Sequence, residues 1–297
     1  MILSHPIIPP VQTHQFQKIT LVGVGLLGGS IGLAAKQRGV VGRVCGLVRR
    51  EESIAECLAA GVVDEATLDT AEAVTNAGLV ILCTPVGQMS EIAARLKPHL
   101  AAEAIVTDVG SVKSGVVAEL ETELPRFVGS HPLAGSEKTG VDNARADLLE
   151  DALCAVTLTE KSEAEAVTTV EKFWAALGAR TTRLSPKAHD AVVARTSHLP
   201  HVLATALVRC VLGGAENSEA DFCATGFRDT TRLAAGSAPM WRDIALANPE
   251  AINAAVADLQ KELDGLRGAL DAKDALALEN FFNEGCTLRD DWLHEGK

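Results

Sequence analysis

The chain has 297 residues, enough for about two domains of ordinary size. Hydrophobic residues make up 47% and charged residues 22%, which excludes a largely disordered chain. Because 27 basic residues face 39 acidic ones, the net charge is −12, and this argues against nucleic-acid binding through a broad basic face.

Several absences narrow the range of functions further. The chain has no tyrosine, which excludes any mechanism that needs a catalytic phenol. No apolar stretch approaches the roughly 18 residues that span a bilayer, so no membrane partner is expected. Residues 1–17 contain three prolines and no basic n-region, so they predict an N-terminal lead-in instead of a signal peptide. The seven cysteines form no C-x-x-C pair, which predicts a reduced, cytoplasmic protein without a disulfide framework or a bound metal.

The first half of the chain alternates short apolar runs with helical segments. Strands are predicted at 18–23, 43–48, 79–84, 104–108, 127–129, 153–158 and 181–184, and helices at 30–38, 51–60 and 163–177. This alternation is typical of a parallel sheet wrapped by helices. Residues 18–185 are therefore predicted to form an α/β domain.

The pattern changes at Ser185-Pro186, a plausible helix cap followed by a first helical residue. Beyond it no β-branched run remains, so residues 186–297 are predicted to form an all-α domain. In its last third, four leucines recur at intervals of three and four residues, at Leu259, Leu263, Leu266 and Leu270. Such a seam fits either a subunit interface or the interior of a single-chain helical bundle.

Three glycines follow the first predicted strand with the spacing G-x-G-x-x-G. Gly23 permits a tight turn, Gly25 lets the backbone approach a pyrophosphate, and Gly28 lets helix and strand pack closely. The helix that starts here offers free N–H groups to an anion. Since the motif stands between a strand and a helix, it predicts a Rossmann-like dinucleotide-binding domain.

The end of the second predicted strand bears on which dinucleotide is bound. About 20 residues beyond the loop, where an NAD site usually carries an acidic residue, the chain has Val48, followed by Arg49 and Arg50. Guanidinium groups suit a 2′-phosphate, so NADP is favoured over NAD. The alternative is that both arginines are solvated and Glu51 or Glu52 reaches the ribose.

Polar clusters follow two further predicted strands. Residues 107–113 read TDVGSVK, and residues 129–137 read GSHPLAGSE. Ligands of open parallel sheets bind beyond the carboxyl ends of the strands, so both clusters are expected to face the cofactor crevice. His131 in the second cluster has the chemistry of a general base near neutral pH.

These motifs, together with SHLPH at 197–201 and GFRDTTRLAAGSAPMWRDI at 226–244, resemble the prephenate/arogenate dehydrogenase family of tyrosine biosynthesis. The resemblance runs from residue 18 to the final helices. It implies oxidative decarboxylation of prephenate or arogenate, with hydride transfer to NAD(P)+. It also implies a homodimer formed through the helical domain. An NADP preference would incline the substrate choice slightly towards arogenate.

The resemblance also assigns roles to individual residues. His131 would accept the hydrogen of the substrate's 4-hydroxyl as hydride leaves C4, and Ser111 would bond near the same hydroxyl. Arg232 would grip the side-chain carboxylate, and Glu137 would gate or orient the site. His198 and His201, three residues apart on one helix face, would line the substrate pocket, although His201 fits a buried core residue equally well.

The predicted cofactor contacts combine the glycine loop, the arginines and three strand-end residues: Gly23, Gly25, Leu26, Leu27, Gly28, Arg49, Arg50, Thr84, Pro85 and Asp108. Two rival functions are a β-hydroxyacid-type NADP dehydrogenase and a non-catalytic NADP-binding dimer. The first needs a lysine base on the first helix of the second domain, where the chain offers Lys187 only at the helix start. The second has no need for His131, Ser111 and Arg232 together.

Overall fold

The computed structural model describes residues 14–124, 126–135, 138–214 and 218–295. Over these residues the first half of the chain forms one eight-stranded sheet with the strand order β3-β2-β1-β4-β5-β6-β7-β8. The strands are β1 (Ile19–Val22), β2 (Val44–Leu47), β3 (Glu65–Thr67), β4 (Leu79–Leu82), β5 (Ile105–Asp108), β6 (Phe127–Pro132), β7 (Leu153–Thr157) and β8 (Arg180–Leu184).

In the described part of the chain, six α-helices belong to this sheet and six follow it. The first set is α1 (Leu26–Gln37), α2 (Glu52–Ala59), α3 (Thr70–Val74), α4 (Met89–Leu96), α5 (Ser114–Glu123) and α6 (Ala164–Ala176). The second set is α7 (Pro186–Val193), α8 (Leu199–Leu212), α9 (Thr225–Thr231), α10 (Ala238–Ala247), α11 (Pro249–Ala272) and α12 (Ala275–Glu295). An α/β domain followed by helices was predicted, and this fold class is confirmed.

The central strands are apolar because helices cover both faces of the sheet. Along β1, Leu21 packs into the apolar core on one face and Val22 into the core on the other. The first core is covered by α1 and α6, and the second by α3, α4 and α5. Thr20 is fully buried on the same face as Val22, and its hydroxyl donates to the Ala73 carbonyl of α3 over 2.6 Å. Strands buried on two faces read as continuous apolar runs, which is why they were predictable.

The alternating pattern predicts a parallel sheet, but the observed sheet also contains an antiparallel pair of strands. β6 pairs with β5 in parallel, but β7 runs antiparallel to β6, and β8 is again parallel to β7. A parallel neighbour needs a long crossover, usually a helix, whereas an antiparallel one does not. The described residues between β6 and β7 form only a 3₁₀ turn at Val141–Asn143, so no crossover helix separates these strands.

In its described residues the second half of the chain contains helices joined by short turns and loops, and no strand. β8 ends at Leu184 and α7 begins at Pro186, where the sequence predicts the boundary between the two halves. The Ser185 hydroxyl accepts the Ala188 N–H over 3.2 Å, as expected of a helix cap. No helix in the described ranges is both long and apolar enough to cross a bilayer.

The leucine seam lies on α11 and is largely open to solvent. Leu263 is 45% exposed and Leu270 is 55% exposed, while Leu259 and Leu266 are only partly buried. Such exposure does not fit the interior of a single-chain bundle. It leaves the subunit-interface interpretation of the seam as the one that the structure favours.

Two helices of the second half pack onto the first. In α10, Ile244 is buried in the core that α3, α4 and α5 cover. The Asp243 carboxylate lies against Gly87, where an added Cβ would come within 3.1 Å of its oxygen. In α7, Asp190 accepts the backbone N–H groups of Lys113 and Ser114, each over 2.7 Å. These contacts bring the helical half next to the carboxyl ends of β5 and β6.

Candidate active site

The glycine loop joins β1 to α1 in a conformation that its residue types require. Gly23 has φ +91°, a backbone conformation that side chains of L-residues rarely adopt. A Cβ at Gly28 would lie 2.3 Å from the Gly23 carbonyl oxygen, whereas one at Gly25 would meet nothing within 4 Å. Gly28 thus allows the close packing of helix on strand, and Gly25 leaves open space in front of the loop.

A cavity of about 780 Å³ lies in front of this loop. The predicted cofactor residues that line it are Gly23, Gly25, Arg49, Arg50, Thr84 and Pro85. Leu26, Leu27 and Gly28 form the first turn of α1, directly behind Gly25. That helix starts without a side-chain cap and without an acidic residue in its first turn. The Thr84 hydroxyl is buried, with no hydrogen-bond partner among the described residues.

These features fit a bound dinucleotide. An uncapped helix start offers backbone N–H groups and the positive end of its dipole to a pyrophosphate. The open space at Gly25 permits the approach, and the Thr84 hydroxyl lacks a partner that a ligand would supply.

The two arginines lie on the rim of the same cavity and are exposed. Arg50 donates to the Ser53 hydroxyl over 3.3 Å and lies 3.8 Å from the Glu56 carboxylate. Glu51 and Glu52, the alternative ribose ligands, are exposed and are not among the residues that line the cavity. This end of the cavity is therefore lined by both arginines and by the Glu56 carboxylate.

Asp108 lies inside the protein instead of on the cavity wall. It is fully buried, and its carboxylate forms an ion pair with the fully buried Lys113 ammonium. The same carboxylate accepts the N–H groups of Gly110 over 2.8 Å and of Ser130 over 3.0 Å. Asp108 thus holds the loop after β5 against β6, and its contact with the cofactor stays a prediction.

His131 lies within β6, one residue before the strand ends, and is 8% exposed. Its Nδ1 is 2.9 Å from Nε2 of His189, and Nδ1 of His189 is 2.8 Å from the Asp190 carboxylate. Burial lowers the pKa of His131 well below its ordinary value, and the nearby Lys113 ammonium lowers it further. The ring is therefore neutral at physiological pH, as a general base must be.

Ser111 lies in the loop between β5 and α5 and is partly buried. Its backbone lies beside His198, where it raises the pKa of that imidazole. Burial has the larger and opposite effect, and the pKa of His198 is about 4. When His198 is protonated, its charge in turn lowers the pKa of His131. The structure thus brings together three predicted residues from distant parts of the chain.

His198 and His201 line a second cavity, of about 570 Å³, together with Trp241 and mostly apolar side chains. His201 stacks on the Trp241 ring with the ring centroids 3.6 Å apart, and burial lowers its pKa. Nε2 of His198 is buried without a hydrogen-bond partner among the described residues. His201 is therefore both a buried residue and a cavity residue, and the His198 ring carries an unused polar atom.

Arg232 begins a 3₁₀ turn, Arg232–Ala235, that follows α9, and it is exposed. Four residues later Gly236 packs against His201 and Trp241, because a Cβ there would lie 2.7 Å from atoms of both rings. The segment that carries Arg232 therefore borders the second cavity. Arg242 forms an ion pair with Asp243 over 2.7 Å. Glu137, the predicted gating residue, lies outside the described residues.

Sequence reasoning missed His189, Asp190 and Lys113. All three are buried and polar, and they connect the loop after β5 to His131. The sequence signal for His189 and Asp190 is that an imidazole and a carboxylate are adjacent early in a helix. Such groups are costly to bury without partners, so their burial indicates hydrogen bonds.

Comparisons with known proteins agree with the fold of both halves. Residues 31–183 match the family model "Prephenate dehydrogenase, nucleotide-binding domain", and residues 185–284 match "Prephenate dehydrogenase, dimerization domain". The cyclohexadienyl dehydrogenase of Zymomonas mobilis is 35% identical over 280 residues, which cover 92% of this chain and 95% of that protein.

Solved structures show the same fold. Prephenate dehydrogenase from Aquifex aeolicus, in complex with hydroxyphenyl propionate and NAD+, has a TM-score of 0.89 and 34% identity. The match covers 93% of this chain and 98% of that one. Synechocystis arogenate dehydrogenase has a TM-score of 0.80 and 29% identity, covering 93% of this chain and 99% of that one.

Proposed function

The chain belongs to the prephenate dehydrogenase family, and from that premise we propose that it oxidises and decarboxylates prephenate or arogenate with NAD(P)+. The observation that carries the proposal is the position of His131. It is a buried, neutral imidazole at the end of β6, next to the loop that carries Ser111, on the same sheet edge as the glycine loop. The Z. mobilis relative and the A. aeolicus structure support the same activity by their names.

In the proposed reaction His131 takes the proton of the 4-hydroxyl while the hydrogen on C4 leaves as hydride. A bound nicotinamide supplies the hydride acceptor. The C–C bond to the ring carboxylate then breaks, carbon dioxide is released, and the bonding pair makes the ring aromatic. The ring oxygen takes a proton back, which protonated His131 is placed to return. Ser111, on the neighbouring loop, bonds near the same hydroxyl and orients it.

The substrate also carries a side-chain carboxylate, and a cation must hold it because the protein is net acidic. His198 does not serve as that cation at neutral pH, since its pKa is about 4. We assign the carboxylate to Arg232, whose guanidinium can form a bidentate pair. His198 and His201 then line the pocket as neutral hydrogen-bonding groups, and Glu137 gates or orients the site as the family resemblance implies.

We propose NADP+ as the preferred cofactor and NAD+ as the less favoured alternative. Arg49 and Arg50 on the cavity rim support a 2′-phosphate. Glu51 and Glu52, the alternative ribose ligands, do not line the cavity. The A. aeolicus structure contains NAD+, which is why both dinucleotides belong in the test. Of the two substrates, the proposed NADP+ preference inclines the choice slightly towards arogenate, and the Synechocystis neighbour carries that name.

We also propose that two copies of the chain form a homodimer through the helical half, in the cytoplasm. The match of residues 185–284 to a dimerization domain supports this, as do the exposed leucines of α11.

The test is an assay of the purified protein with prephenate or arogenate and with NAD+ or NADP+, followed at 340 nm. We expect reduced cofactor to form with at least one substrate, faster with NADP+ than with NAD+. A faster rate with NAD+ would overturn the cofactor preference. No reduced cofactor in any of the four combinations would overturn the proposed activity.

A further inference from the structure

Behind His131 a series of buried, hydrogen-bonded polar groups extends into the helical half of the protein. His189 and Asp190, both on α7, are 1% and 4% exposed. The imidazole of His189 lies between the His131 ring and the Asp190 carboxylate, with contacts of 2.9 Å and 2.8 Å. The His131 and His189 rings meet edge to face, with centroids 5.1 Å apart.

We propose that His189 and Asp190 are positioning residues for His131, which hold its ring in the tautomer with the proton on Nδ1 and leave Nε2 free to take the substrate's proton. This inference rests on the proposed function only for the proton that Nε2 receives. The tautomer itself rests on the hydrogen bonds among His131, His189 and Asp190.

Asp190 determines which groups donate and which accept in this series of hydrogen bonds. Its two carboxylate oxygens accept the backbone N–H groups of Lys113 and Ser114, each over 2.7 Å. Burial alone would raise the pKa of Asp190, but the hydrogen bonds from His189, Ser114 and Lys113 outweigh burial and lower it. The carboxylate is therefore ionised, and an ionised carboxylate only accepts hydrogen bonds.

The acceptor at Asp190 fixes both imidazoles in turn. In the proposed arrangement Nδ1 of His189 carries a proton and donates to Asp190, and Nε2 of His189 presents a lone pair to Nδ1 of His131. Nδ1 of His131 must then donate to that lone pair. A neutral imidazole has one N–H, so Nε2 of His131 is left unprotonated. When Nε2 takes a proton, the bond from His131 to His189 gains strength because its donor has become cationic.

The same carboxylate holds the loop that carries Ser111. The N–H groups that it accepts belong to the residue before α5 and to the first residue of α5. Asp190 is itself held by Asn248, the residue between α10 and α11, whose side chain donates to the Asp190 carbonyl over 3.0 Å. One residue of the helical half thus positions both the candidate base and its neighbouring loop in the sheet half.

The direct test is the tautomer of His131 in the substrate-free protein, read from long-range ¹H–¹⁵N correlation spectra after ¹⁵N-histidine labelling. The signals of His131 are assigned by their loss in His131→Gln. We expect Nδ1 to carry the proton in the wild-type protein. A proton on Nε2 would overturn the inference. This result requires no catalysis, so it is separate from any failure of the proposed activity.

Two substitutions of His189 test the effect on turnover. His189→Gln keeps a planar group that can accept from His131 and donate to Asp190, whereas His189→Leu can do neither. We expect His189→Leu to lower kcat by about 10²- to 10³-fold with KM changed less than about threefold. We expect His189→Gln to recover kcat to within about tenfold of the wild type and to keep the Nδ1–H tautomer.

Equal losses of kcat in both variants, with the His131 tautomer unchanged in both, would mean a merely structural role and overturn the inference. Wild-type kcat in His189→Leu would do so as well. If His189→Leu does not fold, the tautomer of His131 in the wild-type protein and the kcat of His189→Gln still test the inference.

Discussion

His131 and His198 are neutral because burial lowers the pKa of each imidazole. Both rings lie beside other buried polar groups, yet their roles differ. His131 is held by His189 at Nδ1, whereas Nε2 of His198 has no partner among the described residues. A held imidazole suits proton transfer, and a buried ring nitrogen without a partner suits ligand binding.

Substitutions of His131 and Arg232 separate chemistry from binding. We expect His131→Asn to lower kcat by about 10²- to 10⁴-fold with little change in KM, because it removes the base and keeps a polar group. We expect Arg232→Gln to raise KM by about 10- to 100-fold with a smaller loss of kcat, because it removes a charged hydrogen bond. Steady-state kinetics of purified variants measure both.

Arg43→Gln is the matched control, since it removes an exposed guanidinium from a different face of the sheet half. It should leave both constants unchanged. Turnover near the wild-type rate in His131→Asn would refute its assignment as the base.

His198 also predicts how stability depends on pH. In the unfolded chain an imidazole takes up a proton near pH 6.5, whereas in the folded protein the pKa of His198 is about 4. The unfolded state therefore binds more protons between these values, and the free energy of unfolding falls as the pH drops through this window. For His198 the expected loss between pH 7.5 and pH 5.0 is about 2 kcal/mol.

Urea denaturation at the two pH values measures this loss. His198→Gln should lose about 2 kcal/mol less than the wild type over the same interval. His99→Gln, which replaces an exposed histidine, should lose as much as the wild type. An unchanged pH dependence in His198→Gln would contradict the pKa assigned to His198.

Individual site residues were predictable where a local motif carries the chemistry. His131, Ser111 and the glycines stand in such motifs. His189 and Asp190 could not be found this way, because their role depends on contacts across 58 and 77 positions of the chain. The burial of Asp108 was not predictable either, because its contacts with Lys113 and Ser130 form only in the folded protein.

At the scale of elements, most strands were predictable because a strand buried on both faces is apolar throughout. β3 was not predicted, since Glu65–Thr67 is a three-residue edge strand with no apolar run. The antiparallel turn from β6 to β7 was also missed, because alternation of strand and helix does not report strand direction. Helix α1 begins at Leu26, earlier than its composition indicated, because the glycines of its first turn mask its helical character.

The glycine loop allows stability and cofactor binding to be tested separately. A Cβ at Gly25 would meet nothing within 4 Å but would enter the cofactor cavity. We therefore expect Gly25→Ala to keep its Tm and to weaken NADP+ binding at least about tenfold. At Gly28 a Cβ would lie 2.3 Å from a backbone oxygen, so Gly28→Ala should lose about 1–3 kcal/mol of stability as well.

Thermal unfolding and fluorescence titration with NADP+ measure the two effects. Gly115→Ala is the control, because Gly115 lies on the exposed side of α5 with nothing within 4 Å. It should bind NADP+ like the wild type. Unchanged NADP+ binding in Gly25→Ala would contradict the placement of the cofactor against the loop.

At the scale of the whole molecule, the helical half presents apolar side chains that the chain itself does not cover. Leu263 and Leu270 on α11 and Trp292 on α12 are 45%, 55% and 69% exposed. Exposed apolar surface of this extent is typical of an interaction site. The sequence located the seam of leucines, but only the packing of the helices distinguishes a surface seam from an interior one.

We expect the wild-type protein to sediment as a dimer of 31.1-kDa chains. The double variant Leu263→Glu/Leu270→Glu should sediment as a monomer, because two charges replace apolar contacts at the interface. Leu58→Glu is the matched control, since Leu58 is 44% exposed on the sheet half, and it should remain dimeric. Analytical ultracentrifugation distinguishes these masses, and a monomeric wild-type protein would contradict the proposed assembly.

In the proposed reaction a base from the sheet half and a cation from the helical half act on one substrate. A crystal structure of the protein with NADP+ and 4-hydroxyphenylpyruvate tests this most directly. We expect Nε2 of His131 within about 3.2 Å of the phenolic oxygen, and the Arg232 guanidinium within about 3 Å of the side-chain carboxylate. A product bound with the His131 ring turned away from that oxygen, or with Arg232 out of reach of the carboxylate, would contradict the account.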